Sequence, residues 1–257
     1  MQFCKIVLLL TFSFLSSFYF NLPIDITVTV YFIIQNIKHK NKENINANRI
    51  KRISKTSFKT VETIIRETWH YDEFSSQKTA VKLARAFLSS CLTNYTFSRV
   101  AVLDGKVAGI ILINDIQNHK CSFSNRLLQV KSILSLYRSK EGRNVSKIFE
   151  KVNEIDKQLL SESNKSYPAE LALFAVSSSF RGKGIGKMLF QSSLEHMEKT
   201  GLKEFYLFTD TTCNYGFYEH QGMIRRLEKE HTFHIKGQQK IINFFIYDSS
   251  TQKKMSE

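Results

Sequence analysis

Hydrophobic positions along this chain recur in two rhythms, and the change from one to the other marks its elements. Val81, Ala84, Leu88 and Cys91 are spaced by three and four, which predicts a helix over residues 78–91. Residues 60–69 predict another. Residues 97–103 and 106–113 are short apolar runs, and Asp104-Gly105 between them is the dipeptide of a tight two-residue turn, so the pair predicts a β-hairpin. Residues 49–54 alternate like a strand, and residues 169–176 read as a buried strand. A Gly-rich loop at 181–187 opens a helix to about Lys199, stopped at Gly201. A strand follows at 204–209, then a short helix at 215–221 ended by Gly222. Residues 224–235 and 240–247 close the chain as a hairpin around Gly237.

Between the first hairpin and the buried strand lies a helical segment, residues 114–167, ended by Pro168. Leu127, Val130, Leu134 and Tyr137 form one stripe at helical spacing; Val145, Ile148, Val152, Ile155 and Leu159 form a second. Both stripes are expected to pack on the domain, the alternative being a partner or homodimer surface. No internal repeat or low-complexity tract is visible.

The N-terminal part differs. Ile6 to Phe20 is a dense apolar run of 15 residues, short of the ~20 that span a bilayer as a straight helix. Asn21-Leu22-Pro23 interrupts it, and apolar character resumes to Ile34. Residues 1–37 admit three readings: a membrane anchor, translation called from too far upstream, or a buried hydrophobic element. The next Met after Met1 is Met188, which weakens the second. Residues 38–48 read as a basic linker and 249–257 as a polar tail. The domain is expected over residues 49–248.

Charge changes the picture next. Lys and Arg total 37 against 23 Asp and Glu, a net +14, which invites nucleic acid or an anionic membrane. Eight basic residues and one acid, Glu43, fall between Lys38 and Thr60. Coming just after an apolar stretch, that cluster points to an anionic membrane surface and keeps the domain on the cytoplasmic side. No recognition helix or RNA-binding motif supports a specific nucleic-acid partner. Residues 114–167 add a further +4, from ten basic and six acidic residues. Cys4, Cys91, Cys121 and Cys213 are too scattered for a zinc ribbon or disulfide framework and fit a reducing cytosol. His196, His220, His231 and His234 lack ligand spacing, so no metal is implied.

The most specific local signal is Val176-Ser177-Ser178-Ser179-Phe180-Arg181-Gly182-Lys183-Gly184-Ile185-Gly186-Lys187, a strand, a loop and a helix start. Three glycines leave backbone N–H groups free to approach a ligand. The helix N-terminus, Arg181, Lys183 and Lys187 supply positive potential, so the segment suits a pyrophosphate. It is neither a P-loop, since Met188 follows Lys187, nor a GxGxxG dinucleotide fingerprint.

Arg181-Gly182-Lys183-Gly184-Ile185-Gly186 resembles the R/Q-x-x-G-x-G/A signature of the GNAT N-acetyltransferases. Asn214-Tyr215-Gly216-Phe217-Tyr218-Glu219-His220-Gln221-Gly222-Met223 resembles that family's closing FYEKxGF element, with Met223 in place of Phe. The resemblance covers roughly residues 49–248 apart from the insertion. It implies an α/β (α+β) fold: a mixed, mostly antiparallel sheet, splayed between its fourth and fifth strands and flanked by helices. It implies acetyl-CoA as acyl donor, held by Arg181, Gly182, Lys183, Gly184, Ile185, Gly186, Lys187 and the backbone of Phe174, Ala175 and Val176.

The remaining roles also follow from the resemblance, each beside a plainer alternative. Glu170 corresponds to a general base, since an ammonium must lose a proton before it attacks a thioester; the alternative is a solvated strand end or an ion pair. Tyr218 corresponds to a general acid for the thiolate; the alternative is a packed aromatic. Asn214 either caps its helix or touches CoA, and capping is favoured. The acceptor pocket falls on the loop 69–74, where Trp69, Tyr71, Asp72 and Glu73 offer aromatics and carboxylates to a cationic amine. The expected activity is direct acetyl transfer to a small-molecule or peptide amine; the alternative is an inactive CoA-binding module tethered to a membrane.

Overall fold

The computed structural model describes residues 50–235 and 237–250. The expectations for residues 1–37, the linker 38–48 and the end of the polar tail lie outside the described residues. Seven strands form one sheet in the order β1-β2-β3-β4-β5-β7-β6: β1 Ile50–Lys51, β2 Phe97–Leu103, β3 Lys106–Asp115, β4 Ala169–Val176, β5 Glu204–Asp210, β6 Ile224–Ile235 and β7 Gln238–Ser250. All neighbours are antiparallel except β4 and β5. The helices are α1 Phe58–Thr68, α2 Tyr71–Phe74, α3 Gln77–Asn94, α4 Phe123–Tyr137, α5 Lys140–Glu162, α6 Ile185–Lys199 and α7 Gly216–His220.

The β2–β3 hairpin turns on Asp104 at φ 52° and Gly105 at φ 73°, two left-handed residues in succession, the backbone whose twist matches the flanking strands. β3 is central, so Ile110 to Ile113 are buried on both faces. α6 covers one face through Ile185, Leu189, Phe190 and Met197. α1 and α3 cover the other through Val61, Ile65, Ala84 and Leu88.

β4 contains the irregularity that shapes the molecule. Against β3, Leu173 pairs with Leu112 and Leu171 with Ile113, so Ala172 has no opposite residue. Such a bulge reverses side-chain parity. Ala169 and Leu171 therefore enter the α6 core, whereas Leu173 and Ala175 enter the α1–α3 core. Beyond Ala169–Phe205 and Glu170–Tyr206, β4 and β5 share no further pairs. The sheet splays there.

The insertion departs from expectation in one helix. α5 behaves as its stripe predicts: Val145, Ile155 and Leu159 are buried, and its C-terminal half packs with Tyr206, Phe233 and Phe244. On α4, Leu127, Val130, Leu134 and Tyr137 lie on the solvent side rather than entering the core. Leu128, Ser132 and Leu136 turn inward instead, with the Asn125 side chain donating to Leu92 O at 2.8 Å and Gln129 to Ser90 Oγ at 3.3 Å. The inward side of α4 thus combines two leucines that join the core with two polar side chains matched to a hydroxyl and a carbonyl near the C-terminus of α3. Shorter differences are that β1 covers only part of residues 49–54, and that the loop 69–74 contains the one-turn α2 after a left-handed His70.

Candidate active site

Where β4 and β5 part, the sheet opens into a cleft of about 530 Å³ lined by β4 from Glu170 to Val176, the end of β5 and the Gly-rich loop. At about 3.3 Å per extended residue, Glu170 and Val176 stand roughly 20 Å apart, at opposite ends of the strand.

The loop end carries positive charge and free donors. Gly182 and Gly184 have φ of 74° and 76°, and open space surrounds the position of a Cβ on each, so backbone conformation rather than crowding demands glycine. The first in-helix bond of α6 runs from Met188 N to Gly184 O, leaving the N–H groups of Ile185, Gly186 and Lys187 without an in-helix partner. Arg181, Gly182, Gly184, Ile185, Gly186 and Lys187 all line the cleft. Lys183 does not; its ammonium lies 5.4 Å over the Phe180 ring. Phe174, Ala175 and Val176 border the cleft on the side where β4 has no strand partner. Asn214 also lines it, and α7 is capped at Tyr215 without a side-chain bond, so the expected capping role is not seen.

Tyr218 is buried among Phe174, Phe217 and Tyr247, and its hydroxyl makes no hydrogen bond among the described residues. Burial holds its pKa above the ordinary phenol value. α7 is fixed from outside: Tyr247 donates to Glu219 Oε1 at 2.7 Å, and Arg225 bonds both Tyr247 and Glu219 while lying 4.2 Å over Phe245.

The opposite end is acidic. Burial pushes the Glu170 carboxyl up. The Asn114 amide lies 3.3 Å from Glu170 Oε2; turned so that its NH2 meets Asn94 O at 2.8 Å and Asp115 O at 3.2 Å, it presents its oxygen to that carboxyl. A protonated Glu170 can donate to that oxygen, which favours the neutral form further. Asp156 of α5 and Asp210 of β5 share the cleft. Burial, then the charges of Asp210 and Glu170, push Asp156 up to about 7.

Trp69 and Tyr71 line the cleft, the first beside Phe87 and the second edge-on to Phe149, each at 5.3 Å between ring centres. Asp72 and Glu73 are not in the lining. Asp72 faces outward to Arg66 at 2.6 Å and Glu73 to Lys240 at 3.0 Å. The one-turn α2 turns Tyr71 and Phe74 inward, which leaves Asp72 and Glu73 on its outer side. Asp156 supplies a carboxylate from the insertion instead. Its sequence signal was an acid on an apolar stripe, four residues after Val152 and three before Leu159.

The model of the acetyltransferase (GNAT) family matches residues 146–223, from α5 through the Gly-rich loop to the residue after Gly222. Over that stretch the chain matches the GNAT acetyltransferase family. The match assigns the chain the activity class of a GNAT N-acetyltransferase, and that family implies acetyl-CoA as donor and an amine as acceptor. Among solved structures, arylalkylamine N-acetyltransferase 2 from Aedes aegypti is 21% identical, covers 79% of this chain and 98% of its own, and superposes with a TM-score of 0.51, a likeness of fold. The ribosomal-protein-S18-alanine N-acetyltransferase from Escherichia coli is 11% identical over 79% of this chain and 92% of its own, with a TM-score of 0.45. Among curated proteins no sequence relative matches. The GNAT chain has, among its described residues, no helix long and apolar enough to cross a membrane.

Proposed function

We propose that this GNAT enzyme transfers the acetyl group of acetyl-CoA directly to a primary amine with an apolar, aromatic body. The observation that carries the proposal is one cleft joining a glycine-rich phosphate cradle, an unpaired stretch of strand and buried carboxyls.

The donor is held by the chain's own groups. Free N–H groups at the start of α6, with Arg181 and Lys187, suit the pyrophosphate. The β4 backbone at Phe174 to Val176, without a partner on the β5 side, suits the amides of the pantetheine arm and a developing oxyanion.

The acceptor arrives as an ammonium ion. In their ionised forms Asp156 and Glu170 attract it, and one of the two carboxylates takes its proton. A base whose carboxyl burial pushes up to about 7, as in Asp156, is matched to work at neutral pH. The aromatic walls, with Trp69, Tyr71, Phe87, Phe149, Phe208 and Phe244, favour an amine whose body is apolar. Tyr218, a weaker acid than a free phenol, keeps its proton and serves the departing thiolate as a hydrogen-bond donor. Cys91 and Cys213 are both pushed up to about 12 by burial, so neither offers a thiolate to carry the acetyl group. This supports direct transfer over an acyl-enzyme.

The test is thiol release from acetyl-CoA by the full chain, screened against arylalkyl and alkyl amines, polyamines and lysine peptides. Highest kcat/KM is expected for arylalkyl amines. Preference for polyamines or peptides would overturn the acceptor class. Tight CoA binding with no turnover on any amine would return the protein to the inactive-module alternative.

A further inference from the structure

α4 turns Leu128 and Leu136 into the core, and polar side chains share that inward side. Asn125, Gln129 and Ser132 face α3 and the domain, whereas Phe123, Leu127, Val130, Leu134 and Tyr137 recur at intervals of four and three on the opposite side. Phe123 is 83% exposed and Leu134 65%. At 3.6 residues per turn the five cover a strip about 80° wide. Burying them would stabilise a helix that has another surface to cover, so a solvent-facing strip of this length marks an interaction face.

Charge identifies the other surface. From Ile116 to Lys140 the chain has no acidic residue and five basic ones, Lys120, Arg126, Lys131, Arg138 and Lys140. Arg126 falls on one flank of the strip, Lys131 and Arg138 on the other. Long basic side chains flanking an apolar strip can lay their stems along hydrocarbon and their charges among phosphates. Tyr137, at the end of the strip, turns its hydroxyl to Glu150 at 2.7 Å and marks the polar border. A second copy of the chain fits less well, because a two-fold contact through α4 would set the same basic rows against each other.

We infer that α4 is an interfacial helix that docks the outer face of the insertion on an anionic phospholipid surface. Its apolar strip enters the headgroup boundary and Arg126, Lys131 and Arg138 contact lipid phosphates. The docking is independent of acetyl transfer, since none of these residues lines the cleft.

The experiment places a reporter on the strip of the full chain, whose only tryptophan is Trp69. In Phe123→Trp, emission should shift to the blue and be quenched, beyond the parent, by brominated phosphatidylcholine–phosphatidylserine vesicles. The effect should be weaker with phosphatidylcholine alone and should fall with added salt. Adding Arg126→Gln, Lys131→Gln and Arg138→Gln should raise the lipid needed for half-quenching about a hundredfold. Adding Leu127→Ser and Leu134→Ser instead should abolish the shift while circular dichroism and the unfolding midpoint stay unchanged. A tryptophan at 123 that remains solvent-exposed on anionic vesicles overturns the inference, even where another part of the chain binds them. So does equal quenching after removal of the three charges, or a lipid-independent shift accompanied by a doubled mass in light scattering.

Discussion

Tyr218, Asp156 and Glu170 divide the chemistry between a donor and two proton acceptors, and each role has its own signature. Tyr218→Phe is expected to lower kcat about a hundredfold with KM for acetyl-CoA changed little; equal losses in both would assign the ring to packing. Asp156→Asn should remove a rise in kcat/KM centred at about pH 7, the value to which burial pushes this carboxyl. The same substitution has a stability consequence of opposite sign. Between the ordinary Asp value of 3.8 and about 7, native Asp156 keeps a proton that the unfolded chain has lost. Stability therefore falls as pH rises through that window and stays lower above it. Without ligand, Asp156→Asn should be more stable than the parent by about 2–4 kcal/mol at about pH 8, and equal to it at about pH 4, in urea titrations. An unchanged pH dependence would remove Asp156 from the proton path.

Among the elements, β4 and the α4–α5 junction carry the geometry. The bulge at Ala172 sends Leu171 to one core and Leu173 to the other, and the strand leaves β5 after two pairs. At the junction, Ser139 Oγ accepts from Gly142 N at 3.0 Å, and a Cβ on Gly142 would stand 2.0 Å from Leu136 O. Gly142→Ala is therefore expected to cost about 1–3 kcal/mol in urea unfolding, although it improves helix propensity. A stabilising result would mean that the junction opens at no cost. α2 gives a smaller lesson: its single turn buries Tyr71 and directs Asp72 and Glu73 to Arg66 and Lys240, which takes both carboxylates out of the acceptor site.

For the molecule as a whole, the open splay means that ligand completes what the sheet leaves unpaired. CoA at about a hundred times its Kd should add about 2.7 kcal/mol, which raises Tm by roughly 5–10 °C for a domain of this size. Gly184→Asp should abolish that rise, since its left-handed backbone disfavours a side chain and a carboxylate would face the phosphates. A full shift in the variant would place the phosphates elsewhere. The net +14 also resolves by location. Eight basic residues lie between Lys38 and Thr60, five between Ile116 and Lys140, and Arg181 and Lys187 stand at the cleft.

The sequence alone determined the elements whose causes are local. Asp104-Gly105 requires a tight hairpin, helical spacing sets α3 and α5, and Gly182 and Gly184 require left-handed backbone ahead of a helix. The Gly-rich loop and the Tyr218 segment were legible for the same reason, because each is a continuous run. Tertiary structure decided what depends on distant partners. Asp156 became a site residue because α5 lies against the opening between β4 and β5, strands that begin 13 and 48 residues downstream of it. The apolar stripe of α4 was legible as a stripe, but its direction was not. Periodicity fixes which residues share a face, and the core that takes Leu128 and Leu136, with the hydroxyl and carbonyl of α3, chooses the face that turns inward.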